Sequence, residues 1–251
     1  CPVPVLGVIP ARLGSSRLPR KPLRLLAGEP LVLRVVRRLS AFAACDRIVV
    51  ATDALEIATV VRSAGFEAVL TAATHESGTE RIAEVASRRE YAEYDLLLNV
   101  QGDEPLVAAA AVHGTLERLR LGDPIGTAAG VLDPELAGDP NRVKVVVGPD
   151  SRAVYFSRAP IPFDRDGHGA VRYHQHVGVY GYTREALERW VRLPAVPEER
   201  WERLEQLRPL LHGIPIGVAR FDEAPAPGVD TPEDLQWVEL TLARNPREVS
   251  S

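Results

Sequence analysis

Val3 to Pro10 is an uninterrupted apolar run that ends in a loop crowded with arginine, glycine and serine: Ala11-Arg12-Leu13-Gly14-Ser15-Ser16-Arg17-Leu18-Pro19-Arg20-Lys21-Pro22. A run of this kind, closed by turn residues, is expected of a strand buried on both faces of a parallel sheet. Helices must then cover those faces. Leu31, Val32, Val35, Val36 and Leu39 recur with helical period between Pro30 and Ala41 and supply the first of them. The opening unit is therefore strand, long loop, helix.

The alternation continues along the chain. Arg47 to Thr52 and Glu67 to Leu70 read as strands, with a helix over Leu55 to Ala64 between them. Ser77-Gly78-Thr79-Glu80 has the spacing of a capping box, in which Ser77 accepts from the backbone and Glu80 reaches back, ahead of a helix over Arg81 to Arg89. Asp95 to Val100 is a further apolar strand, and it stops at Gln101-Gly102-Asp103-Glu104-Pro105. Strands alternating with helical patterns predict βαβ units and a mostly parallel sheet whose ligands bind at the carboxyl edge.

From Gly126 onward the pattern changes. Short apolar runs at Thr127 to Leu132, Arg142 to Val147, Ala153 to Phe156 and Val177 to Tyr182 are separated by Pro, Gly and Asp. They predict a smaller mixed or antiparallel lobe, roughly 126–182, within a single α/β domain over 1–251. Helices are expected over Arg184 to Val191 and Arg200 to Leu211, a strand over Ile214 to Ala219, and a terminal helix over Thr231 to Leu242. Thr231 is its natural cap, with Pro232 at the first helical position.

Composition narrows the function classes. A chain of 251 residues, 45% hydrophobic, can bury a sizeable core. Its formal net charge of -4 argues against a nucleic-acid partner, which calls for surplus Lys and Arg to neutralise phosphates. Cysteine occurs only at Cys1 and Cys45, too few for a disulfide framework or a CxxC site. No apolar run reaches the length of a membrane helix and the start lacks the pattern of a signal peptide, so a cytoplasmic protein without a membrane partner is expected. A lipid anchor on Cys1 is disfavoured because a strand is expected to follow at once.

The loop after the first strand gathers Arg12, Arg17, Arg20 and Lys21 beside Gly14, Ser15 and Ser16. Small residues let backbone N–H groups approach an anion, guanidinium groups pair with phosphate bidentately, and lysine adds a point charge. A solvated basic loop has the same composition, but its place at the carboxyl end of a first parallel strand favours a nucleotide phosphate. The loop is neither a Walker A sequence nor a GxGxxG turn, which weighs against kinase and dehydrogenase chemistry. Lysine is confined to Lys21 and Lys144, in a chain that otherwise uses arginine. Where arginine is the default, a retained lysine hints that a compact ammonium is wanted. Lys144, in PNRVKVV, is expected either to be an ordinary exposed residue or to reach toward the phosphates.

Two segments offer carboxylates at the same predicted edge. Asp103 and Glu104 follow the apolar strand ending at Val100, where a hard cation such as Mg²⁺ takes one or two protein oxygens. Asp103 capping a following helix is the structural alternative. Asp230, in GVDTPED, is a second candidate, although a capped helix start explains that run by itself.

The runs IPARLGSSRLPRKPL, IVVATD, HESGTERIAEV, NVQGDEP, PNRVKVV, YFSRAPIPFDRD, HVGVYGY, LEQLR and GVDTPEDL, in this order from Val8 to Leu235, resemble the 3-deoxy-manno-octulosonate cytidylyltransferases. IPAR and GVDTPED recur in other sugar nucleotidyltransferases, whereas GDEP together with SGTER, IPFDR, HVGVYGY and LEQLR is much more specific. The resemblance implies a nucleotide-diphospho-sugar transferase-like, Rossmann-like α/β fold, a homodimer, and a magnesium-dependent enzyme of lipopolysaccharide biosynthesis. Its expected partners are CTP and the sugar acid 3-deoxy-D-manno-octulosonate (KDO).

Residue by residue, the resemblance assigns Arg12, Ser16, Arg17 and Lys21 to the triphosphate, and Ala11, Ser77 and Gly78 to cytosine through backbone groups. It gives Asp103 and Asp230 to the metal, so that Lys21, Arg17, Asp103 and Asp230 carry the catalysis. Gln101, Arg165, His176, Tyr180, Glu205 and Gln206 fall to the sugar acid, with Gln101 also near the nucleotide. His176 and Tyr180 share a strand face by their even spacing. Arg81 is assigned to the nucleotide by resemblance, but a salt bridge to Asp53 or Glu84 explains it as well. The chain departs from the family pattern at Arg20, where glycine is usual, at Glu76, where glutamine is common, and at Gln175, where arginine is common. Arg20 can add charge to the phosphate site or turn away from it. A cytidylyltransferase for an amino analogue or a sialic-type acid, and a non-catalytic nucleotide-binding module, are the alternative functions.

Overall fold

The computed structural model describes residues 3–14, 17–167, 169 and 171–244. Ser16, expected at the phosphates, lies outside the described residues, as does Cys1. The chain forms two compact units, one from Cys1–Val107 with Ala226–Ser251 and one from Ala108–Pro225. The stretch 126–182 falls within the second.

The first unit opens with strand β1 (Val5–Ala11), followed by the paired two-residue strands β2 (Leu25–Leu26) and β3 (Glu29–Pro30). Helix α1 (Leu31–Ala41), strand β4 (Arg47–Thr52), helix α2 (Leu55–Ser63), strand β5 (Glu67–Leu70), helix α3 (Gly78–Ser87) and strand β6 (Leu96–Val100) complete its first segment. The strands lie in the order β6-β1-β4-β5, and all pair in parallel. Every residue of β6 is buried and nearly every residue of β1, which is why they read as unbroken apolar runs rather than alternating ones. The loops after β1, β4 and β6 therefore leave from one edge of the sheet.

The capping expected before α3 is present in modified form. Ser77 Oγ accepts from Glu80 N–H at 3.2 Å, but Glu80 reaches back to Glu76 N–H (2.9 Å), one residue before the cap. Asp103 caps nothing; the next helix, in the second unit, has Ala108 at its N-cap and no side-chain bond there.

The second unit contains α4 (Ala109–Arg120), β7 (Ile125–Leu132), β8 (Lys144–Val147), β9 (Ala153–Ser157), β10 (Tyr173–Thr183), α5 (Arg184–Trp190), α6 (Pro197–Glu202), α7 (Leu207–Leu211) and β11 (Ile216–Phe221). β7 pairs with β11 in parallel and with β10 antiparallel, while β8 is antiparallel to both β10 and β9, so the sheet is mixed as expected. The anticipated helix over Arg200 to Leu211 is instead two short ones. Arg203 takes left-handed backbone angles (φ 51, ψ 50), and Leu204 N–H closes onto Glu199 O (3.1 Å) as its side chain turns into the core. α4 carries Gly114 because a Cβ there would lie 2.6 Å from the Cβ of Ala219 on β11.

Lys144 does not project toward a ligand. It is completely buried, and its ammonium donates to the carbonyls of Asp139 (3.1 Å) and Arg158. Burial lowers its pKa, since desolvation penalises the charged form. Both expectations for this lysine, an exposed residue or a reaching phosphate ligand, give way to a structural one: it ties two loops together.

Beyond Pro225 the chain returns to the first unit and ends its described part in α8 (Pro232–Arg244).

Candidate active site

In the first unit the site is assembled from the loops after β1 and β6 and the segment before α8. Lys21 Nζ donates to Asp103 Oδ2 at 2.6 Å and to Asp230 Oδ1 at 2.9 Å. Arg17 donates to the other Asp230 oxygen at 2.9 Å. The carboxylates are held by backbone as well, because Val229 N–H donates to Asp103 O at 2.8 Å. Asp234, in the first turn of α8, accepts from Asp230 N–H (3.0 Å) and Thr231 N–H (2.8 Å), while Thr231 Oγ1 accepts from Asp234 N–H (3.2 Å). The reciprocal cap at Thr231 thus also fixes Asp230. Beneath these loops Leu18, Leu26, Leu31, Leu106, Val229, Val238 and Leu242 form one apolar cluster that anchors all three segments.

Close packing brings the remaining elements to the same edge. A Cβ on Gly102 would lie 2.7 Å from Pro10 O, and one on Gly78 would lie 3.4 Å from Pro10 Cγ and 3.8 Å from Gln101 Oε1. The N-terminus of α3 therefore meets the ends of β1 and β6, where Ala11 is buried and Gln101 half-buried. Arg12 is exposed. Arg81, only 3% exposed, forms the expected salt bridge, donating to Asp53 at 3.0 Å, and also donates to Thr71 Oγ1. Arg20 also turns away from the phosphate loop and pairs with Glu56 on α2.

The charges at this edge are strongly coupled. Burial alone would lower the pKa of Lys21, but Asp103 and then Asp230 reverse the effect and raise it, so the ammonium stays charged. For Asp230, burial is outweighed by Lys21 and Arg17, which hold its carboxyl below the usual range. Glu104 is pushed up to about 8, first by burial and then by the charges of Asp103 and Asp230. An edge that holds Asp103 and Asp230 oxygens on a single ammonium offers hard donors to a cation. Among the described residues no cluster of three or more His, Cys, Asp or Glu could hold a metal.

The second unit holds the residues expected at the sugar acid. β10 is irregular in its pairing with β7: Val177 faces Ala128, but Tyr180 faces Thr127, so β10 advances three residues where β7 advances one. The bulge draws His176 and Tyr180 together, with ring centroids 5.2 Å apart. Residues four apart on a regular strand would lie roughly 13 Å apart. Phe156 packs edge-on to His176, and Trp190 edge-on to Tyr180. Burial holds the His176 imidazole near 3, hence neutral. The Tyr180 hydroxyl is buried with no hydrogen-bond partner among the described residues. Its pKa is raised by burial, then by Tyr182 and Glu205, which brings Glu205 within electrostatic reach.

Gln206 is buried at the start of α7, while Glu205 is exposed. Arg165 lies exposed in the loop before β10 and is not brought into contact with this cluster. Gln175, which departs from the family pattern, accepts from Arg142 at 3.0 Å, so a guanidinium still reaches this position from a neighbouring segment. Sequence reasoning missed Thr127, whose hydroxyl contacts His176; only the bulge in β10 reveals it.

Comparison with known proteins joins these arrangements to a family. A family model described as cytidylyltransferase matches residues 6–216. A 3-deoxy-manno-octulosonate cytidylyltransferase of Gemmatimonas aurantiaca is 52% identical over 238 residues, covering 93% of this chain and 92% of the relative. The chain belongs to the 3-deoxy-manno-octulosonate cytidylyltransferase family. A second member, from Methylococcus capsulatus, is 47% identical over 91% of this chain and 93% of its own. The solved structure of CMP:2-keto-3-deoxy-manno-octonic acid synthetase complexed with CTP superposes with a TM-score of 0.90 at 39% identity, covering 96% of this chain and 99% of that one. A glucose-1-phosphate thymidylyltransferase from Bacillus anthracis, 14% identical with a TM-score of 0.66 over 96% of each chain, shares the nucleotide-diphospho-sugar transferase-like fold.

Arg17 and Lys21 on one side, and Asp103 and Asp230 on the other, meet in ion pairs at one sheet edge. No helix among the described residues is long and apolar enough to cross a membrane.

Proposed function

We propose that this chain transfers CMP from CTP to 3-deoxy-D-manno-octulosonate, releasing pyrophosphate. The observation that carries the reading is the Lys21 ammonium held between Asp103 and Asp230, on a loop and a sheet edge matched to the cytidylyltransferase family. The oxygen of the sugar's anomeric hydroxyl attacks the α-phosphorus of CTP. A new phosphorus–oxygen bond forms as the bond to the bridging oxygen of pyrophosphate breaks, and the hydroxyl proton passes to solvent.

Lys21 and Arg17 stabilise charge on the departing pyrophosphate. Both are held in place beforehand by carboxylates, so they need little reorganisation as charge develops. When bound, Mg²⁺ on Asp103 and Asp230 would polarise phosphate oxygens and favour the ionised hydroxyl. Gln101 and the Ser77-Gly78 turn meet at the nucleotide side, and His176, Tyr180, Glu205 and Gln206 supply the polar groups for the sugar acid, with exposed Arg165 as a cation for its carboxylate. The same reading places the reaction in the cytoplasm, in lipopolysaccharide biosynthesis, and in a homodimer to which exposed Phe163 and Trp201 would lend apolar surface.

The test is pyrophosphate release from the protein with Mg²⁺, each of the four nucleoside triphosphates, and either the octulosonate or a sialic acid. Release with CTP and octulosonate alone is expected. Release with CTP and another acid would keep the reaction and change the substrate; no release with any pair would leave only nucleotide binding.

A further inference from the structure

At the bulge in β10, one hydroxyl on the neighbouring strand contacts two backbone carbonyls. Thr127 Oγ1 lies 2.8 Å from Val179 O and 3.4 Å from Val177 O. The same oxygen lies 3.1 Å from His176 Nε2. A hydroxyl has a single proton to give and lone pairs with which to accept. At 2.8 Å that proton must lie toward Val179 O, because two bare oxygens at this distance repel. Thr127 can then face His176 only as an acceptor, so the proton between them belongs to Nε2.

We propose that Thr127 is a positioning residue, whose hydroxyl fixes His176 as the Nε2–H tautomer and so presents Nδ1 as a hydrogen-bond acceptor for a hydroxyl group of the sugar acid. Among the described residues no protein group bonds Nδ1, and His176 as a whole residue is only partly buried. The neighbouring Tyr180 hydroxyl, buried and without a hydrogen-bond partner among the described residues, is a second unsatisfied polar group at the same place. Burial keeps the imidazole neutral through the physiological range, which preserves the acceptor. An acceptor nitrogen receives a hydroxyl and repels a carboxylate, so His176 reads the sugar's hydroxyl pattern, leaving the acid group to a cation. Bulges beside binding sites commonly re-aim a side chain in this way. The idea rests on the reading of His176 as a sugar contact made under the proposed function.

The experiment combines ring-nitrogen NMR of His176 with kinetics of Thr127→Val and Thr127→Ser. Nitrogen shifts of the unliganded protein should show a protonated Nε2 and a bare Nδ1. Thr127→Val should raise KM for the octulosonate about tenfold, the loss of one buried hydrogen bond, with KM for CTP and kcat within about threefold. Thr127→Ser, which keeps the hydroxyl, should stay near wild type. A proton on Nδ1 overturns the proposal, as does a folded Thr127→Val with unchanged KM for the sugar. If the valine variant does not fold, the spectrum of the wild type and the kinetics of the serine variant still decide it. His176→Ala separates the two readings: unchanged sugar KM in that variant would remove the sugar site itself, whatever the tautomer.

Discussion

The ammonium of Lys21 sits 2.6 Å from the carboxylate of Asp103. Asp230 approaches it at 2.9 Å from the other side, so one point charge offsets two carboxylates. Lys21→Met should therefore lower kcat/KM for CTP on the order of 100-fold or more, by removing a preorganised cation from the leaving group. Lys21→Arg should not restore it, because a planar fork cannot take the place of a compact ammonium between two acids. Near-wild-type pyrophosphate release from the methionine variant would falsify the assignment.

Asp103 and Asp230 are proposed to hold Mg²⁺, and their backbones are tied by the bond from Val229 N–H to Asp103 O. Asp103→Asn should raise the Mg²⁺ concentration for half-maximal turnover at least tenfold and lower turnover at saturation on the order of 100-fold, while thermal unfolding in the absence of metal shifts little. Calorimetric titration of Mg²⁺ with CTP into the variant reads the first effect without reference to turnover. Wild-type turnover in saturating Mg²⁺ would remove Asp103 from the metal.

Why these partners were not legible as partners is plain from their separations. Lys21 lies 82 residues from Asp103 and 209 from Asp230, so no local spacing could pair them. The strands β1, β4, β5 and β6 were readable to within a residue or two, most plainly β1 and β6, whose burial on both faces leaves an unbroken apolar record. α4 was not delineated: Gly114, a poor helix former in its middle, reflects close contact with Ala219 of β11 rather than helix propensity. The break at Arg203 carries no glycine to announce it, and the β10 bulge is marked in HVGVYGY only by Gly178, within a strand that has a second glycine at Gly181. Thr127 gains its role from that bulge alone.

Arg20 holds a left-handed backbone (φ 58, ψ 30) at the position where the family usually has glycine, and its side chain pairs with exposed Glu56. A non-glycine residue pays roughly 1–2 kcal/mol in that conformation, against about 0–1 kcal/mol for a surface ion pair. Arg20→Gly should thus leave stability unchanged or raise it by up to about 1 kcal/mol, with KM for CTP within about twofold of wild type. A marked rise in KM would show that the guanidinium swings from Glu56 to the triphosphate.

Asp123 is a buried acid of the second unit, its side chain 1% exposed and contacted by Arg118 and by Arg152 at 2.7 Å. Asp123→Ala leaves the Arg118 side chain without its buried counter-charge and should destabilise the protein by about 3–5 kcal/mol, read by urea unfolding at neutral pH. A loss below about 1 kcal/mol would mean that water replaces the carboxylate at little cost.

Glu84 on α3 provides the pH dependence. Burial alone would raise its pKa, but the Ala72 N–H, Arg88 and His75 more than offset this and hold it to about 2, against an ordinary value of 4.5. The His75 and Arg88 contacts are both 2.7 Å. A carboxylate whose folded pKa lies below its unfolded value stabilises the fold above the unfolded pKa, and loses that contribution as pH falls toward the folded one. Glu84→Gln should therefore cost about 1–2 kcal/mol at pH 7, a value reduced for the partial exposure of the group. The difference from wild type should stay constant down to about pH 5, narrow between pH 4.5 and 3, and close near pH 2, as urea titrations across that range would show. A difference that persisted unchanged at pH 3 would mean that Glu84 acts by shape and neutral hydrogen bonding rather than by charge.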